Sequence, residues 1–133
     1  MLKELEEAHE ELTENTERVN RAIHALEEEL LRIGVGVTVW VDSTIEIDQQ
    51  KWTIGFTRIG RGWSLAAHRL GDGPIKLSGA PRHVRVRAIY LLDQVVTELI
   101  KKVKLQSISA YDAAVHGFVC LREIQKKVSE QEE

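Results

Sequence analysis

The chain has 133 residues, 43% of them hydrophobic, with a formal net charge of −3 and one cysteine. That is enough for a single domain over residues 1–133 with its own core and no need of disulfides or structural metal. The lone Cys120 excludes an internal disulfide and a thiolate zinc site. The acidic start is unlike a secretion signal, and no apolar run approaches the roughly 20 residues that span a bilayer. A cytoplasmic protein without membrane contact is the expectation.

The charge is unevenly divided. Residues 1–50 carry four basic and thirteen acidic side chains, residues 51–104 eleven and three, and residues 105–133 three and five. An acidic helix lying against the basic middle, in the same chain or a partner, would neutralise both blocks, and this pairing is expected. An exposed anion-binding surface is the alternative.

The first element is a helix from about Leu2 to Ile33, rich in Glu, Leu and Ala and ended by Gly34 and Gly36. Leu5, Leu12, Val19, Leu26 and Ile33 recur at seven-residue spacing, beside a second row at Leu2, His9, Thr16, Ile23 and Leu30. Such a seam buries itself against another helix, and a second copy of the same helix is the expected partner. The half from residue 20 onward is apolar enough to be core, whereas residues 1–19 should protrude toward a partner chain. Leu5, Leu12, Val19 and Leu26 are therefore the candidate self-association residues of a homodimer.

Strands follow. Val35, Val37, Val39 and Val41 alternate with smaller or polar residues, the period-two pattern of a half-buried strand, which Ile45 and Ile47 either continue or follow as a short strand of their own. Trp52 to Thr57 and Trp63 to His68 alternate likewise around Gly60-Arg61-Gly62. A two-residue turn at Gly60-Arg61 pairs Arg58 with Trp63, Phe56 with Leu65, Ile54 with Ala67 and Thr53 with His68. Trp52 and Trp63 then fall on the core face. Thr57, Ser64, Ala66, His68 and Trp40 fall on a face of small residues, which either lines a shallow ligand groove around Trp40, His68 and Thr57 or is covered by a helix or partner chain.

Gly71 to Pro74 reads as a turn and Pro81 as the first turn of a helix running through Val84, Leu92, Leu99 and Val103. After a break at Ser107 to Ser109, Tyr111, Val115, Phe118, Val119 and Ile124 mark a last helix, with Cys120 as a small buried hydrophobe. The predicted class is α+β: a long helix, an antiparallel sheet of three strands or four, and two C-terminal helices, in the order α-β-β-β-α-α.

Catalytic motifs are thin. The five histidines include no zincin pair, and Glu6 with His9 supplies only half of a di-iron pattern, so no metal, cofactor or catalytic residue is assigned. Arg58, Arg61, Arg69, Arg82, Arg85 and Arg87 form a candidate anion or nucleic-acid cluster, with pairing to the first helix's glutamates as the favoured alternative. The leading functional reading is a non-enzymatic protein that self-associates and binds a protein partner.

The segment Trp52 to Leu65, then Pro74-Ile75-Lys76-Leu77-Ser78-Gly79-Ala80-Pro81-Arg82 and a helix bearing Arg85, Ala88 and Leu92, resembles small bacterial proteins with an aromatic hairpin and a Pro-Leu-x-x-Ala-Pro-Arg lead into an amphipathic helix. The resemblance covers residues 50–100. It implies this architecture and a bacterial or mobile-element origin, and carries over no functional residue.

Overall fold

A computed structural model describes residues 1–132. The first helix, α1 (Leu2–Ile33), stops where Gly34 turns left-handed at φ 79° and donates its N–H back to the carbonyls of Leu30 and Leu31. Three long antiparallel strands follow, β1 (Val39–Ile47), β2 (Gln50–Ile59) and β3 (Gly62–Arg69), and then a two-residue β4 (Ile75–Lys76). The sheet order is β1-β2-β3-β4. A short helix α2 (Arg82–Ala88) leads through a tight 3-10 turn at Ile89–Leu91 into α3 (Leu92–Glu132). The chain divides into two units, Met1–Ile100 and Lys101–Glu133.

The β2–β3 hairpin has the register expected from the alternation, with Arg58 opposite Trp63, Phe56 opposite Leu65 and Thr53 opposite His68. Gly60, at φ 63°, takes the first central position of the turn, where a positive φ is required and glycine carries no Cβ penalty. The β1–β2 turn achieves a similar reversal with Asp48 and Gln49, both at positive φ.

One face of the sheet and the apolar sides of α1, α2 and the first turns of α3 make the core of the Met1–Ile100 unit. Ile54, Phe56, Leu65, Ala67, Leu77, Val84, Ala88 and Val95 are wholly buried there, with Ile23 and Leu30 from α1. Trp52 is buried, and Trp63 stacks on Phe56 with ring centroids 5.7 Å apart. At the β3 edge, Glu27 of α1 accepts a hydrogen bond from the Leu65 N–H at 3.1 Å. A strand-edge donor is thereby satisfied by a helix side chain.

Four expectations need correction. Val35 to Thr38 lies outside the sheet although Val37 is buried; burial and strand pairing are separable. The sheet has the four strands allowed for, but Ile45 and Ile47 continue β1 and the fourth strand is Ile75–Lys76, which adds to Ala66–Ala67. The break in the last helical region falls at Ile89–Leu91, and α3 runs unbroken through Ser107 to Ser109; serine costs a helix only tenths of a kcal/mol, about 0.5. Finally, Cys120 is half-buried on a stretch whose other residues from 101 to 131 are exposed, with its Sγ 3.6 Å from Nε2 of His116.

Candidate interaction surfaces

The seam of α1 is divided in two. Ile23 and Leu30 enter the core, and Val19 and Leu26 pack half-buried against it. Leu2, Leu5 and Leu12 are exposed, Leu5 to 65%. Around them stand Glu4, Glu6, Glu7, Glu10, Glu11, Glu14 and Glu17 against only Lys3 and Arg18. Thr13 and Thr16 donate their hydroxyls to the carbonyls of His9 and Leu12 at 2.9 and 2.7 Å, so both polar residues are satisfied within the helix. Of the four candidate self-association residues, Leu5 and Leu12 are thus available to a partner, whereas Val19 and Leu26 are largely spent on the body.

The six arginines do not converge. Arg58 and Arg61 are exposed at the β2–β3 turn. Arg69 lies at the other end of β3, eight residues away, or about 25 Å at the usual strand rise. There it pairs with Asp72 at 2.7 Å, donates to Gln50 at 3.3 Å and sits 5.6 Å above the Trp52 ring. Arg82 is exposed at the start of α2. Arg85 donates to the side-chain oxygen of Asn20 on α1, and Arg87 to the Glu46 carbonyl at 2.9 Å.

Among the described residues, none of these arginines forms an ion pair with a glutamate of α1 in the same chain. Ion pairs found there include His24–Glu28, Arg32–Glu29 and Arg69–Asp72, each within four residues along the sequence. Hydrogen bonding by Arg32 holds the Glu29 carboxyl below its ordinary range. None of these ion pairs involves a glutamate of residues 1–19.

The small-residue face is closed by its own side chains. Trp40 lies over Gly55, where an added Cβ would meet the Val39 carbonyl at 2.2 Å and the Trp40 ring at 2.5 Å. The ring of His68 meets that of Trp40 edge-on, with centroids 4.5 Å apart. Thr57 is buried, its hydroxyl 3.0 Å from that of Thr38. Trp40 and Thr57 are thus committed to the sheet. His68 alone reaches a hollow of about 310 Å³ at the far end of β3, shared with Trp52, Arg69, Asp72 and His83.

Residues 101–131 hold the largest apolar exposure in the chain. Val103, Leu105, Ile108, Tyr111, Val115, Phe118, Val119, Leu121, Ile124 and Val128 are all exposed, Tyr111 to 70% and Phe118 to 66%. The sequence pattern marks Tyr111, Val115, Phe118, Val119 and Ile124 as a last helix without assigning what covers them. A signal was present, since the exposed residues spread over more than half of the helix circumference, beyond what one core-facing stripe requires.

Among the described residues no group of three histidine, cysteine or acidic side chains could hold a metal ion, and no helix is long and apolar enough to cross a membrane. Comparison with known proteins finds no matching family model, curated protein or solved structure.

Proposed function

We propose that this protein acts by associating with itself and with another protein, using the protruding half of α1 as its first contact. The observation that carries this reading is the exposure of Leu2, Leu5 and Leu12 on a helix whose later turns are anchored in the core. An apolar row on a long, well-formed helix is more surface than a lone chain leaves uncovered. The dispersed arginines and the closed Trp40 face lend less support to an anion site or a small-molecule groove.

The test is Leu5→Glu with Leu12→Glu in the full chain. Both positions are exposed, so the fold is kept, whereas Val19 is packed on the body and a charge there would confound the result. The variant should have the mass of a single chain by light scattering where the unaltered protein has a multiple of it. An unaltered protein that is itself a monomer removes the proposal.

A further inference from the structure

We infer that the acidic arm of α1 in one copy docks on the C-terminal stretch of α3 in a second copy, not on the second copy's own α1. This rests on the proposal that the chain self-associates through the arm, and it names the surface that receives it.

Charge decides against pairing like with like. Residues 1–19 carry seven glutamates and two basic residues. Two such arms side by side would set glutamates against glutamates along the apolar row, and like charges at a helix interface oppose association. Residues 101–133 hold six basic residues, Lys101, Lys102, Lys104, Arg122, Lys126 and Lys127, against five acidic ones, Asp112, Glu123, Glu130, Glu132 and Glu133. The receiving stretch is close to neutral and lacks the acidic excess of the arm, and both surfaces are apolar along one line.

Their dimensions also agree. At about 100° per residue, Ile108, Tyr111, Val115 and Phe118 form one stripe of α3, and continuing the same line brings Lys104 to one end and Arg122 to the other. From Lys104 to Arg122 the stripe is about 27 Å long, the length of roughly 18 helical residues, which is also the length of the exposed arm of α1. Leu2, Leu5 and Leu12 would lie on the apolar stripe, with flanking glutamates such as Glu4 and Glu11 available to the basic ends.

A second stripe, Val103, Leu121, Ile124 and Val128 with Ala110 and Gly117 between them, lies roughly 120° around the helix. A helix with two apolar stripes suits a position with neighbours on two sides, as in a bundle. In a two-fold dimer, the arm of each copy would meet the α3 stripe of the other, giving two equivalent contacts.

Two double variants of the full chain test this, each with its helix content checked by circular dichroism: Leu5→Glu with Leu12→Glu on the arm, and Tyr111→Glu with Phe118→Glu on α3. All four positions are exposed and outside the core. Each variant alone should have the mass of one chain, and an equimolar mixture should recover a species of about twice the 15.1 kDa chain mass, because one intact arm then meets one intact stripe. If the α3 variant keeps the mass of the unaltered protein while the arm variant does not, this inference fails and the arm pairs with itself. Two monomeric variants that do not associate on mixing overturn it as well. An unaltered protein that is monomeric removes the inference and the proposal beneath it together.

Discussion

Gly55→Ala is the substitution with the clearest structural consequence. The new methyl carbon would lie 2.2 Å from the Val39 carbonyl oxygen and 2.5 Å from Cε3 of Trp40, so something must move by more than 1 Å to restore ordinary contact, about 3.4 Å or more. Val39 is buried and opposite Phe56 in the ladder, so its carbonyl is held. Trp40 is the freer of the two, and moving it breaks the ring contact with His68 and uncovers Gly55. Overpacking of this kind costs about 1–3 kcal/mol, and a clash with backbone places it near the top of that range. For a body of about 100 residues, 3 kcal/mol lowers Tm by roughly 12–24 °C. Thermal unfolding followed by far-ultraviolet circular dichroism reads this directly, with Gly62→Ala as control because nothing lies within 4 Å of its added carbon. If Gly55→Ala melts within 2 °C of the unaltered protein, the account of Trp40 as a fixed cover is wrong.

Glu27→Ala leaves the Leu65 N–H at the β3 edge without its partner and should cost about 1–2 kcal/mol in urea unfolding, whereas Glu27→Gln keeps an acceptor and loses less. Ile23→Ala, which removes a wholly buried side chain where α1 meets the sheet, should cost about 2–5 kcal/mol by the same measurement. Arg32→Ala should return the Glu29 carboxyl upward to its ordinary range in an NMR titration. In the unaltered protein Glu29 is depressed, so its small contribution to stability is present above the ordinary carboxylate range and fades as pH falls through the lowered value.

The β2–β3 hairpin was legible residue by residue because three signals agreed: the alternation, the glycine turn and the matching of large residues across the pair. At β1 the signals separated. The stretch Val35 to Val41 alternates because Val37, Val39 and Val41 are buried, yet only Val39 and Val41 lie in the strand. Between Trp40 and Thr44 the register slips by two residues, an even number that keeps Ile45 on the core face and leaves no trace in the pattern. β4 escaped because two residues carry no periodicity.

The helical regions were misread for a different reason. The turn at Ile89–Leu91 contains neither glycine nor proline, whereas Ser107 and Ser109 look like a break but sit comfortably in α3. The hairpin arginines are closer in sequence than in space, since β3 separates Arg61 from Arg69 by its whole length. Whether an apolar residue faces its own core or solvent is a tertiary fact, so the pattern of the 101–131 stretch marks a helix without saying what covers it.

The carboxylate of Glu27 has a protective consequence for the intact chain. β3 is flanked on its outer side only by the two residues of β4, so α1 guards the remaining rim against strand addition by other molecules. Proteolysis within α1 that released Glu27 would open a hydrogen-bonding rim bordered by Trp63 and Leu65. The damaged protein would then be exposed to cross-β aggregation in addition to the loss of its helix.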